Sequence, residues 1–462
     1  MYTFTYNRQK FEDNGINKEE IRKLISYHHT QIAPTLMKNV AYYEGDHDIL
    51  NRTRKKDAPN QKPVCNHAKD IADTATGFFI GSPISYTLVG KDNEEELDII
   101  TDALDTAGAD DVDQDNALDM SQCGRAYEYL YAAQGTTDIK IKNLEATHTF
   151  MVCDDTIEQN ELFAVYYYLR KETNTSITKF KATVCTATEI YDLTIVDTEG
   201  NQVLTEKPTP HFFGKIPIVE YLNNKHGIGD YEQQIGLMDA YNTLMADRVN
   251  DKAQFIDALL VLYGAILGDN QDETSEAMKV LKDEKLLELP EGSRAEYLTR
   301  TFDETGVEVL RKAIKEDIYT FSHVPNLTDE NFVGNSSGVA MEYKLLGLMM
   351  LTNTKEKYYR KGLRKRLECI ANYLKLKAIQ LHPGAVVPEF TRKLPKNLVE
   401  LSQMIANLKG TVSQKTLISQ LDFVEDAQSE IDAVDEENEK ATERQRKMFG
   451  TFENDKPVEQ DE

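Results

Sequence analysis

A chain of 462 residues exceeds what one hydrophobic core usually supports, so several structural regions are expected. A hydrophobic fraction of 40%, with 23 Tyr and 17 Phe, suffices for folded cores. The formal charge of −25 argues against a sequence-specific DNA binder, which draws most of its affinity from Lys and Arg on phosphates. It leaves room for a duct through which DNA slides, because an acidic wall does not grip the backbone. Cys65, Cys123, Cys153, Cys185 and Cys369 are scattered, with no C-x-x-C pair, and read as ordinary thiols in a reducing compartment. The first fifteen residues lack an apolar signal core, and the longest mostly apolar run, 256–267, contains Asp257 and is too short for a bilayer. A soluble protein that is not exported by a cleaved signal and has no membrane partner is expected.

Residues 17–43 read as helix, with Ile21, Leu24, Ile25, Leu36 and Val40 on plausible faces around Pro34. The next segment, 45–63, has no apolar period and includes Arg52, Arg54, Lys55 and Lys56; a solvated loop and a dock for an acidic partner both stay open. Residues 66–77 form a short helix with Ile71 and Ala75 inward, after which Ile84, Tyr86 and Leu88 alternate with Ser85 and Thr87 as a strand does. Residues 92–119 hold twelve acids and no base and are expected to be a solvated acidic helix face. Asp111, Asp113 and Asp115 imitate the start of a calcium loop, but Asn116 stands where glycine is needed and Gln122 where glutamate is.

From 125 to 221 the pattern turns to short β runs, at 127–131, 162–169, 178–184 and 190–196, which imply an antiparallel sheet region. The helical period returns at 227, with Leu237, Tyr241 and Leu244 on one face, and again at 307–321, with Leu310, Ile314, Asp317 or Ile318, and Phe321 in line. Between them lies a small αβ insert: strand 259–267, helix 275–285, strand 286–289 and the turn at Pro290. Two helices bracketing such an insert look like a stalk with a head.

Residues 326–338 are polar and glycine-punctuated, hence a loop. No proline follows between 339 and 376, and about 38 residues of helix would span roughly 57 Å. Over 339–351 the apolar residues, among them Leu345, Leu346, Leu348, Met349 and Met350, occupy most of the circumference, which implies enclosure on most sides. The stripe is interrupted at 352–357, where a bend is expected near Gly347 and Gly362. It resumes with Leu363, Leu367, Ile370 and Leu374, while Lys357, Arg360, Lys361, Arg364, Lys365 and Arg366 make the helix basic elsewhere. Residues 386–393 suggest a strand, 398–408 and 414–421 short helices, and the tail from 422 holds fifteen acids against five bases.

Gly334-Asn335-Ser336-Ser337-Gly338 fits the nucleophile-elbow pattern, but no buried strand precedes it and His382 is the only histidine downstream. There is no Walker loop and no H-E-x-x-H, and the carboxylates are too numerous to single out a pair. No catalytic residue, metal ligand or cofactor site is assigned.

Three blocks together carry a resemblance: 325–346 (PNLTDENFVGNSSGVAMEYKLL), 66–86 (NHAKDIADTATGFFIGSPISY) and 229–242 (GDYEQQIGLMDAYN). In order and spacing they resemble portal proteins of long-tailed double-stranded DNA bacteriophages of Gram-positive hosts, over residues 20–440 or so. The resemblance implies an α+β portal protomer, made in the host cytoplasm and built into a homo-oligomeric ring, normally a dodecamer, at one capsid vertex of the virion. Double-stranded DNA would be packaged and ejected through its channel, with the terminase large subunit, head-tail connector, capsid and scaffolding proteins as partners. Carried onto this chain, 1–234 looks like the wing, 235–258 and 307–325 the stem helices, and 259–306 the clip. Likewise 326–337 looks like the tunnel loop, 338–397 the long helix and return to the wing, 398–441 the crown, and 442–462 an acidic, disordered tail. Asn326, Asp329, Glu330, Asn331, Asn335, Ser336 and Ser337 would face DNA, and Leu345, Leu346, Leu348, Met349 and Met350 would pack between subunits. Two alternatives are a scaffolding or adaptor protein of head assembly and a serine hydrolase using Ser336.

Overall fold

The computed structural model describes residues 3–55, 58–89, 94–133, 135–171, 178–197, 202–205, 208–255, 259–263, 270–283, 291–298, 304–327, 338–392, 398–421, 424 and 427–450. The fold is α+β and divides into two compact units, Met1–Val333 with Lys344–Thr391 and, separately, Gly334–Tyr343 with Arg392–Glu462.

The larger unit opens with strand β1 (Phe4–Tyr6) and helices α1 (Arg8–Asn14), α2 (Lys18–Tyr27) and α3 (Ala33–Glu44). Asn17 starts α2 by accepting hydrogen bonds from the backbone N–H groups of Glu19 and Glu20. The single helix expected over 17–43 is divided by a π turn, His28–Ile32, just before Pro34. Proline crowds the carbonyl four residues back, and widening the turn relieves that clash. Next come α4 (His67–Phe79), β2 (Ser85–Leu88), α5 (Glu94–Ala107) and α6 (Ala109–Cys123).

The β-rich body follows as β3 (Arg125–Ala132), β4 (Ile139–Leu144), β5 (Thr149–Asp154), β6 (Glu161–Lys171), β7 (Thr178–Cys185), β8 (Glu189–Asp197), β9 (Gln202–Thr205), β10 (Thr209–Pro210) and β11 (Ile218–Leu222). One sheet runs β1-β5-β6-β7-β8-β10 with β9 also on β8, and all its pairs are antiparallel except β1 with β5. Phe163, Val165 and Tyr167 of β6 point into a core shared with Ile21 and Ile25 of α2 and Leu36 of α3, while Tyr168 faces solvent. A second sheet, β11-β3-β4, lies against α5 and α6 in another core.

Helix α7 (Ile235–Phe255) lies beside α9 (Glu304–Ser322), with β12 (Leu259–Tyr263), α8 (Gln271–Asp283) and β13 (Arg294–Leu298) between them in sequence. Ion pairs Arg248–Glu308 at 2.9 Å and Lys252–Glu304 at 2.8 Å tie α7 to α9. The insert closes as a β12–β13 antiparallel pair, whereas the strand expected at 286–289 lies outside the described residues. Of the line expected on α9, Ile318 is buried while Leu310 and Phe321 are exposed. Helix α10 (Gly338–Leu374) has 37 residues, about 55 Å of rise, and β14 (Val386–Glu389) then pairs antiparallel with β2.

The smaller unit holds α11 (Leu398–Leu408), α12 (Gln414–Ile418) and α13 (Ala427–Gly450), with α12 against α13 and Leu401, Leu417 and Ala427 buried. Residues 442–450, expected to lack structure, continue α13, whose exposed flank is mostly charged.

Candidate functional site

Helix α10 is the element the sequence marks most strongly, and its inward face explains why it lies where it does. Leu363, Leu367, Ile370 and Leu374 are all buried, as their spacing predicts. Gly362 lets the helix approach β11, because a Cβ there would stand 2.4 Å from the Tyr221 ring. The ring of Tyr221 also stacks on Tyr359, with centroids 4.4 Å apart.

Among these apolar residues sit charges that were expected away from the apolar face. Arg366 is fully buried, and its guanidinium donates to Asp113 of α6 at 2.6 and 3.1 Å and to Glu128 of β3 at 2.8 Å. Asp113 also accepts from the Tyr359 hydroxyl at 2.6 Å, and Glu128 accepts from Tyr221 at 2.8 Å and Asn116 at 3.0 Å. Burial alone would lower the Arg366 pKa, but Asp113 and Glu128 lift it well above the ordinary value. Burial, with the carboxylate beside it, likewise holds the Tyr359 phenol protonated. The solvated acidic face expected over 92–119 is thus corrected at Asp113, which is 1% exposed and neutralised by Arg366. An ionised pair can stay buried because every charged atom finds a partner.

A second anchor explains the break in the apolar stripe. Helix is continuous through 352–357, and Lys355, fully buried, pairs with Asp230. Asp230 accepts in turn from Ser121 at 2.6 Å and Asn223 at 2.9 Å. The third anchor lies next to it: Arg125 donates to Glu220 at 3.2 Å, and Tyr127 does so at 2.7 Å. Gly227, at φ +63°, leaves room for the Arg125 guanidinium, whose Nη2 would lie 2.6 Å from a Cβ there.

The basic loop is likewise engaged within the chain. Arg52 donates to Asp247 of α7 at 2.7 Å, Arg54 bonds the same carboxylate, and Lys56 lies outside the described residues. Asn250 clasps the backbone of Gln61 on both sides, at 2.6 and 2.8 Å, and Asn242 accepts from the Cys65 N–H at 2.9 Å. Residues 47–55 and 58–65 therefore form a strap along α7 rather than a free loop. The signal was present in the asparagines of α7, spaced to fall on its inward side with Met238 and Ala246.

Of the residues expected to pack between subunits, Leu345 and Leu348 are buried within the chain and Met349 is half-buried. Leu346 and Met350, four residues apart, are 50% and 63% exposed and share one face. Asn326 is half-buried at the rim of an open groove of about 640 Å³ lined by Arg311, Lys312, Lys315 and Lys344, with Glu316. Asp329, Glu330, Asn331, Asn335, Ser336 and Ser337 lie outside the described residues. His382 is bonded to Glu96 through its backbone and its ring. The five cysteines are free thiols, and burial pushes Cys153 and Cys369 up to about 12. Among the described residues no His, Cys, Asp and Glu cluster could hold a metal, and no helix is long and apolar enough to cross a membrane.

The portal protein of Bacillus phage SPP1 is 25% identical, over 96% of this chain and 90% of that protein. Among solved structures, the neck of an empty gene transfer agent particle is 11% identical with a TM-score of 0.44, covering 76% of this chain and 88% of the other. The native gene transfer agent virion is similar at 11% identity and a TM-score of 0.45, over 83% and 91%. The family described as phage portal protein, SPP1 Gp6-like, matches residues 22–444, which include all three anchors and the long helix that two of them hold: the chain belongs to that family.

Proposed function

We propose that this protein is the ring-forming subunit of a portal vertex, through which double-stranded DNA is packaged and ejected and on which the terminase motor and the head-tail connector dock. The observation that carries this reading is a helix of 37 residues locked by buried charge on one side and exposing Leu346 and Met350 on another. An apolar pair held so firmly to the surface is suited to a neighbouring copy. Leu345 and Leu348 hold the helix in place for that contact, and Met349 borders it.

In this reading 235–258 and 307–325 are the stem, 259–306 the clip, 326–337 the tunnel loop and 398–441 the crown. The groove beside Asn326 adds to it, since Lys312, Lys315 and Lys344 set a mild positive potential where the loop begins. Asp329 and Glu330 oppose a tight grip, which passage requires. The protein acts as a passive conduit and docking platform, with no catalytic residue of its own. Replacing Asp329 and Glu330 by Lys is expected to slow packaging in vitro and to make DNA retention salt-sensitive. An unchanged packaging rate and salt response would contradict a DNA-facing loop.

A further inference from the structure

The charges of α10 that point away from its anchors are the least explained feature of the larger unit. Arg360 pairs with Glu356 at 2.8 Å, Glu368 is taken by Lys215, and Lys365 by Glu161. Lys357, Lys361 and Arg364 are exposed and have no carboxylate partner among the described residues. They follow one another at i, i+4 and i+7, a single stripe. At about 100° per residue they stand roughly 140–180° around the helix from Arg366. Lys361 and Arg364 border an open groove of about 590 Å³ of mixed charge, with Lys215 and Lys365 beside Glu158, Glu161, Glu220 and Glu368, whereas Lys357 stands outside it.

The other end of the Arg366 ion pair shows the opposite charge. Asp111 and Asp115 of α6 are exposed, four residues apart, and each lies about 160° around that helix from Asp113. Asp110 is also exposed but lies off that stripe, about 60° around the helix from Asp113. No base occurs between 92 and 119. Burial and then neighbouring carboxylates raise the pKa values of Asp110 and Asp115, with Arg366 opposing the shift at Asp110. Because Arg366 and Asp113 face each other, the basic stripe of α10 and the acidic stripe of α6 each lie on the far side of their own helix from that ion pair.

We infer that the Lys357–Lys361–Arg364 stripe of α10 docks on the Asp111–Asp115 stripe of α6 in a second copy of this chain. A head-to-tail ring needs two different, complementary faces on each subunit, and two exposed stripes of opposite charge supply such a pair. The inference rests on the ring reading above and adds to it which faces meet. Exposed ion pairs contribute little individually, so the contact acts through registry and rate of assembly, and it weakens with salt.

The test uses two full-length variants. One carries Lys357→Glu, Lys361→Glu and Arg364→Glu; the other carries Asp111→Lys and Asp115→Lys. Each alone repels itself, and its assembled fraction at about 0.1 M salt is expected to fall at least about tenfold. Mixed, every contact between unlike copies is complementary again, so assembly returns as rings of alternating subunits. Glutamine at the three basic positions is expected to fold as wild type does and to remove most of the salt dependence of assembly. The inference is overturned if either reversed variant, with an unchanged unfolding midpoint, assembles like wild type, or if the folded pair assembles no better than its parts. It is also overturned if the basic-stripe variant loses salt-sensitive binding of duplex DNA while assembling normally. Wild-type protein that never assembles would instead count against the ring reading itself.

Discussion

Arg366 is the residue on which the position of the long helix depends. It balances two buried carboxylates, Asp113 and Glu128, so removing it leaves like charges together in a dry site. Arg366→Met is expected to cost about 3–5 kcal/mol, read as a fall in the chemical denaturation midpoint. Adding Asp113→Asn and Glu128→Gln should recover most of that loss, since no unpaired charge then remains. A single variant within about 1 kcal/mol of wild type would show that the pair does not hold the helix. The sequence did contain a sign of this residue: with Tyr359, Leu363 and Ile370, Arg366 falls on the apolar side at helical spacing. A charge on a helix reads as solvated by default, and its partners lie 238 and 253 residues away, so the sign was easy to miss.

The elements themselves were largely legible. Leu363, Leu367, Ile370 and Leu374 announced the inward face of α10, and the alternating tyrosines of β3 and the apolar run of β6 announced the β-rich body. Pairings between distant segments were not, because strand alternation gives a face but no partner; β2 with β14, about 300 residues apart, is such a case. Interruption of the α10 stripe at 352–357 suggested a bend, yet its cause is the buried Lys355–Asp230 pair. At this scale the exposed pair on α10 gives a prediction. Leu346→Gln with Met350→Gln should leave the unfolding free energy of the isolated subunit within about 0.5 kcal/mol of wild type, as for other surface positions. The assembled fraction in sedimentation velocity should fall at least about tenfold. Loss of subunit stability with unchanged assembly would place these side chains in the chain's own core.

In the molecule as a whole, segments around 113–128, 220–230 and 355–366 meet in three charged anchors, and the strap of residues 47–55 and 58–65 fastens α7. The larger unit is thereby cross-linked across most of its sequence, as suits a subunit that must keep its shape while others press on it. Closure into a ring could not be read from the chain, because the rotation between copies depends on how two surfaces meet. Electron microscopy of the purified full-length protein over a wide range of concentrations tests that claim most directly. The account predicts annular particles with a central hole, each built from many copies. Single compact particles at every concentration, also in the presence of the capsid and scaffolding proteins, would contradict it.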